Sequence, residues 1–298
     1  MFRSFDPKDL QTNVLHDYLL STIAPRPIAW ASTIDAVGKV NLAPFSFFNV
    51  FGSNPPTLVF SPSSRVRDNT LKHTLLNAKE TGECVINIAN YELAGKMVLT
   101  SGEFAEGVNE FDMAELEMEP SVLVKPPRVK ASPAQFECVV KNIIPMGTNA
   151  GAGSLIICEV VYLHLNENIF NEEDKIDPHL VDNVARLGKI WYTRAKEGLF
   201  QMPQPKGKTI IGFSRLPDYI KHSKYLTGSE LAQLAGVDYE PSPDEIKAEE
   251  STPEMQEIFR KYGQNPEALE AELHKKAKPL IDGIHYEEAW RVLLSFRK

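Results

Sequence analysis

The chain has 298 residues, 43% of them hydrophobic and 24% charged, the composition of a folded globular protein and not of a disordered or fibrous one. No run approaches ~20 consecutive apolar residues, and the opening MFRSFDPKDLQTNVLHDYLL has no apolar core of signal-peptide length. A cytoplasmic protein without a membrane span is therefore expected. The formal net charge of −8 disfavours nucleic acid or an anionic membrane surface as partner.

In chain order, short β-like runs come first, separated by Gly, Pro and Asn: PIAWASTI (27–34), VNLAPF (40–45), TLVFSP (57–62), CVINIA (84–89), AQFECVVKNIIP (134–145) and SLIICEVVYLHL (154–165). AVGK (36–39) reads as a hairpin connection between the first two. Strands at this spacing predict an antiparallel barrel or sandwich. Two helices interrupt them, at 69–82, where Leu71, Leu75, Leu76 and Ala78 keep helical spacing and Gly82 stops it, and at 90–101. Residues 102–132 carry Glu103, Glu106, Glu110, Asp112, Glu115, Glu117 and Glu119 and read as a surface excursion ending at Pro126-Pro127. After the linker-like QMPQPKGK the pattern turns helical, at 227–236, 252–263, 265–278 and 286–298. Thr252 and Asn265, each followed by Pro and Glu, mark helix starts. Two domains are expected, 1–203 rich in strands and 204–298 helical.

Cys84, Cys138 and Cys158 are sparse, odd in number and each set in an apolar run, so they read as small buried hydrophobes and not as a disulfide framework, metal ligands or nucleophiles. Asp177 and His179 supply two potential ligands, too few for a metal site, and none is assigned. Chemistry concentrates in 25–72. Ser61, Ser63, Ser64, Arg65, Arg67, Asn69 and Thr70 precede a predicted helix, and hydroxyls with arginines at a helix start suit a phosphate. The glycine patterns of P-loop and classical dinucleotide sites are missing. Trp30, Phe45, Phe47 and Phe48 could stack on a flat ligand or fill a core.

The string PRPIAWASTIDAVGKVNLAPFSFFNVFGSNPPTLVFS closely resembles the opening of the flavin reductase-like family, the FMN-binding split-barrel group that includes flavoredoxin. The likeness continues through RDNTLKHTLLNAKETGECVINIAN, PPRVKASPAQFECVV, SLIICEVVYLHL and IDPHLVDNVARLGKIWYTR, covering about residues 15–195. It implies a mainly β fold, a six-stranded Greek-key antiparallel split β-barrel with flanking helices, here with a C-terminal helical extension. It also implies a homodimer with non-covalent FMN near the subunit interface. Ser32 and Thr33 are expected near the flavin, with Trp30 a candidate to stack on it. Ala43, Pro44, Ser46, Phe47, Phe48 and Asn49 are expected to line the ring. Ser61, Arg67, Asn69 and Thr70 should hold the phosphate, and Arg186, Gly188 and Trp191 should close over the flavin. His164 falls where relatives often carry a histidine; it reads as structural or as a group near the nicotinamide. The implied activity is NAD(P)H-driven reduction of flavin or another electron acceptor, with an electron carrier lacking its own nicotinamide site as the alternative. No residue is nominated as catalytic. The helical tail reads as a docking element or as a cover for the site.

Overall fold

The computed structural model describes residues 1–105, 107–205, 207 and 209–296. Glu106 of the acidic excursion, Lys206 and Lys208 of the expected linker, and Arg297 and Lys298 of the last expected helix lie outside the described residues. The chain divides into two compact units, Met1–Leu199 and Phe200–Lys298.

The first unit opens with α1 (Thr12–Thr22), then β1 (Ala29–Ile34), β2 (Val40–Phe45), β3 (Phe48–Ser53), β4 (Pro56–Phe60), α2 (His73–Thr81) and β5 (Glu83–Asn87). It continues through α3 (Ala94–Leu99), α4 (Glu110–Met113), β6 (Met118–Glu119), β7 (Arg128–Val129), β8 (Ala134–Pro145), β9 (Ser154–Leu165) and α5 (Pro178–Val181), and ends in the hairpin β10 (Val184–Leu187) and β11 (Trp191–Arg194). Seven strands pair antiparallel in the order β2-β1-β5-β8-β9-β4-β3.

That order forces the sheet to curl. In a flat sheet its two edges would lie about 29 Å apart, six spacings of about 4.8 Å. Yet the edge strands β2 and β3 are consecutive in the chain, and Phe45 to Phe48 can span at most about 11 Å. The edges therefore meet at Ser46-Phe47. Counted as one strand broken at that corner, β2 and β3 complete a six-stranded split barrel. The run expected to end at Phe45 thus resumes at Phe48, after a break of two residues.

Side chains alternate between two apolar clusters, as a period of two requires. Ala29, Ala31, Leu58, Phe60, Cys84, Ile86, Cys138, Ile156 and Cys158 fill the barrel, with Leu75 and Ala78 of α2 among them. Trp30 and Leu42 point the other way, into a cluster with Leu93, Met97 and Phe111. The cysteines are free and buried. The Cys138 thiol, then burial, push the pKa of Cys84 up against an opposing pull from Cys158, and the Cys84 thiol, then burial, push that of Cys158 up, so these thiols stay protonated.

Helix α2 starts later than its predicted 69–82 for a local reason. The Asp68 carboxylate accepts the Thr70 N–H at 3.0 Å and its hydroxyl at 2.6 Å, and Asn69 takes φ +56°. This side-chain turn competes with helical hydrogen bonding, leaving 61–72 as a loop.

The second unit holds α6 (Asp218–Lys221), α7 (Gly228–Ala235), α8 (Pro243–Glu250), α9 (Pro253–Tyr262), α10 (Pro266–Asp282) and α11 (Tyr286–Leu294). Thr227 with Glu230, and Ser242 with Glu245, form capping boxes. Leu234, Met255, Leu273, Ile281, Trp290 and Leu293 centre its core. Among the described residues no helix is long and apolar enough to cross a membrane.

Candidate functional site

A cleft of about 410 Å³ opens where the barrel edges meet. Its walls come from α1, β2 and the Ser46-Phe47 corner, the 61–72 loop and the start of α2, residues 100–104, and the end of β10. The volume lies in the usual range for a small-molecule site.

The 61–72 loop and the start of α2 contribute Ser61, Ser63, Arg65, Lys72 and Thr74. Arg65 donates to Thr70 Oγ1 at 2.9 Å and to the Leu71 carbonyl at 3.0 Å, and its Nε lies 3.5 Å from a Glu103 oxygen. These contacts fix the guanidinium at the wall. Burial, then Arg65, pushes the Lys72 pKa down, while Glu103 pulls it back. The Lys72 ammonium makes no hydrogen bond among the described residues. Thr74 accepts from Asn41 Nδ2 at 2.9 Å, which ties the start of α2 to the start of β2.

At the β2 corner Arg26 Nε donates to Ser46 Oγ at 3.4 Å. The Ser61 N–H donates to the Phe47 carbonyl at 2.8 Å, so the hydroxyl-bearing loop meets this corner. Arg186, Gly188, Leu20 and His16 complete the lining here, and the His16 ring meets Phe47 edge-on with centroids 6.3 Å apart. Beside β2 lies Glu110, buried, accepting the Leu42 N–H at 2.9 Å. Burial is the main cause that raises its pKa.

Of the expected residues, Ala43, Pro44, Ser46, Phe47, Ser61, Arg186 and Gly188 line this cleft together. The others stand elsewhere. Trp30 is buried behind it and donates to Thr100 Oγ1 at 2.9 Å. The Ser32 hydroxyl donates to the Pro127 carbonyl, and Thr33 Oγ1 accepts from Asn77 at 3.1 Å. Phe48 packs on the barrel core. Asn49 accepts its neighbour's N–H at 2.8 Å. Arg67 is exposed and pairs with Asp68 and Glu103. Asn69 donates to the Thr148 carbonyl at 2.9 Å, and Thr70 is held by Asp68 and Arg65. Trp191 is 71% exposed.

His164 lies outside the cleft, 2.7 Å from the buried Glu137, which also accepts the N–H groups of Val122, Leu123 and Val124. Asp177 caps α5 through the His179 N–H at 2.8 Å, and no metal-ligating group of three or more side chains occurs among the described residues. Sequence reading nominated none of Arg26, Lys72 and His16, and gave Arg65 only as one member of the loop of hydroxyls and arginines; the cleft is lined by Arg65 and not by Arg67.

A curled antiparallel barrel with a cationic cleft at its seam is the architecture of split-barrel flavoproteins, a class of oxidoreductases. The chain belongs to the flavin reductase-like family, whose flavin reductase like domain matches residues 21–188. An uncharacterized protein of Aquifex aeolicus (strain VF5) is 38% identical over 192 residues, 64% of this chain and 95% of that protein. Nitrilotriacetate monooxygenase component B from Bacillus cereus superposes with a TM-score of 0.63 at 26% identity, covering 68% of this chain and 98% of that one. The 2-nitrobenzoate 2-nitroreductase of Pseudomonas fluorescens gives 0.60 at 25%, covering 69% and 99%.

Proposed function

We propose that this protein is an FMN-dependent oxidoreductase that takes electrons from NAD(P)H and passes them to free flavin or another acceptor. The observation that carries the reading is the cleft's charge pattern. Arg65 and Lys72, whose ammonium makes no hydrogen bond among the described residues, are flanked by the hydroxyls of Ser61, Ser63 and Thr74 and offer charge-assisted donors to a phosphate dianion. Ala43, Pro44 and Phe47 flank the space beside them for a flat ring. The residues present therefore fit a phosphorylated flavin. When bound, the flavin supplies hydride acceptance and electron transfer; the chain binds and orients it. Glu110, kept protonated to higher pH by burial, can hold a proton at the cleft wall.

Exposed apolar residues on α1 (Leu19), beside it (Ile23), on β3 (Val50, Phe51) and on the β10–β11 hairpin (Ile190, Trp191) support a homodimer around the cleft. The reading places the protein in the cytoplasm, with no nucleic-acid or membrane partner. A second reading is an electron carrier without its own nicotinamide site.

The test is the absorption spectrum of the purified protein, followed by anaerobic NADH or NADPH. Flavin bands that bleach with one nucleotide are expected. Bands that persist favour the carrier, and a colourless protein that takes up no added FMN rejects both readings.

A further inference from the structure

Arg26 and Arg186 face each other across an isolated antiparallel bridge in which each N–H donates to the other's carbonyl, at 3.0 and 2.9 Å. Residues exchanging both bonds carry their side chains on one face of the ladder, and both line the cleft. Like charges placed directly opposite destabilise a ladder. Arg26 is also only 6% exposed, and burial first, then Arg186, pushes its pKa down. Such a pair calls for an anion.

Among the described residues neither arginine has a carboxylate within salt-bridge distance. Arg26 spends its donors on neutral acceptors, the carbonyls of Leu20, Ile23 and Gly188 and the Ser46 hydroxyl. Arg186 donates to Tyr192 Oη at 2.6 Å and to the Lys189 carbonyl, and its Nε–H has no partner among the described residues. By contrast Arg65, Arg67, Arg128 and Arg194 in the same unit each have a carboxylate within salt-bridge distance. Tied to backbone carbonyls, Arg26 is a fixed charge, while Arg186 keeps a free donor edge.

We propose that Arg186, backed by Arg26, binds the oxyanion of the molecule that shares the cleft with the flavin, so that this co-substrate is an organic anion. The inference rests on the flavin reading, which assigns the flavin phosphate to Arg65 and Lys72 and leaves the arginine pair without a counter-charge. The Phe47 ring beside the pair offers a flat apolar wall. Two sources share the chemistry: the carboxylate of an aromatic or similarly flat acid, and the phosphates of a nicotinamide dinucleotide.

The experiment is calorimetric titration of the full-length, flavin-loaded protein with benzoate and with inorganic pyrophosphate, using neutral benzamide as control. Saturable binding of at least one anion, with benzamide at least tenfold weaker than benzoate if benzoate is the ligand, is expected. Preference for benzoate points to an acid acceptor; preference for pyrophosphate points to the dinucleotide. Arg186→Gln should weaken the preferred anion at least tenfold more than it weakens FMN, and Arg186→Lys should recover part of that loss. Binding of neither anion overturns the proposal. So does an Arg186→Gln loss that is equal for FMN and anion, which would give the pair to the flavin. Repeating the titration on flavin-free protein separates the two ideas: failure to bind FMN rejects the flavin reading even where the anion binds.

Discussion

Lys72 is the residue at which the flavin reading is most exposed to test. Its ammonium is half-buried and has lost hydration, and the residue lines the cleft with Ser61, Ser63 and Arg65. A phosphate monoester carries about −1.5 to −2 charges at neutral pH, and a hydrogen bond to a charged group contributes about 1.5–3 kcal/mol. Replacing the ammonium by an apolar chain of similar length, Lys72→Met, should therefore weaken FMN about 10- to 100-fold. Riboflavin has the same ring and no phosphate, so its affinity should hardly change. Arg67→Gln provides the contrast, because Arg67 is 74% exposed and paired with Asp68 and Glu103; FMN should weaken about threefold or less. Fluorescence titration of both flavins against the three proteins reads these numbers. Equal weakening of riboflavin and FMN by Lys72→Met, or a larger FMN effect from Arg67→Gln, refutes the phosphate assignment. The flavin-free variant should melt no lower than the parent, since Met removes a desolvated charge and leaves no hydrogen bond broken.

Gly188→Ala should destabilise the protein by about 1–2 kcal/mol in denaturant unfolding, since Gly188 sits at φ +58°, where a Cβ is strained; an unchanged midpoint counts against that strain. Burial raises the Glu110 carboxyl above its ordinary 4.5, so its contribution to stability falls as pH climbs from 4.5 through the raised value. Glu110→Gln, which keeps an acceptor for the Leu42 N–H, should raise the melting temperature more at pH 7 than at pH 4, and the reverse order rejects this account. In the helical unit, burial lowers the His274 pKa from 6.5 to about 4, so stability is full above pH 6.5 and drops by about 3 kcal/mol as pH falls to 4 and below. Hydrogen exchange along α10 should lose protection over that window in the parent and keep it in His274→Leu.

The strands were legible because the barrel has an inside and an outside. Ala29, Ala31 and Trp30, or Cys84, Ile86 and Val85, write the alternation into the chain. The helical unit announced itself through caps, Thr252-Pro253 and Asn265-Pro266, which act within one turn. Among the elements that escaped, with α1, the β10–β11 hairpin and α8, was β3. Phe48–Ser53 is an edge strand exposing Val50 and Phe51, so its burial does not alternate and no period marks it. Its existence follows from β4, with which it pairs from Phe48↔Phe60 to Ser53↔Pro56.

The cleft was half legible for a related reason. A loop of hydroxyls and arginines before a helix is a local signal, and 61–72 does meet the cleft through Ser61, Ser63, Arg65 and Lys72. Which arginine faces inward is not local. Arg65 is turned to the wall because its N–H bonds the Thr70 carbonyl at 2.9 Å and its carbonyl accepts the Asn69 N–H at 2.8 Å; in a loop with no period, no spacing rule separates it from Arg67. Arg26 is harder still. Read along the chain it is a charge between two prolines ahead of a strand, the kind of residue that ordinarily meets water. Its burial depends on α1 folding back to offer the Leu20 and Ile23 carbonyls, and its pairing with Arg186 depends on a bridge between segments at opposite ends of the family domain. Charges that meet only through tertiary structure leave no mark in spacing. An unpaired cationic couple of this kind is therefore information that folding adds, and its uncancelled charge is the reason to look for a ligand there.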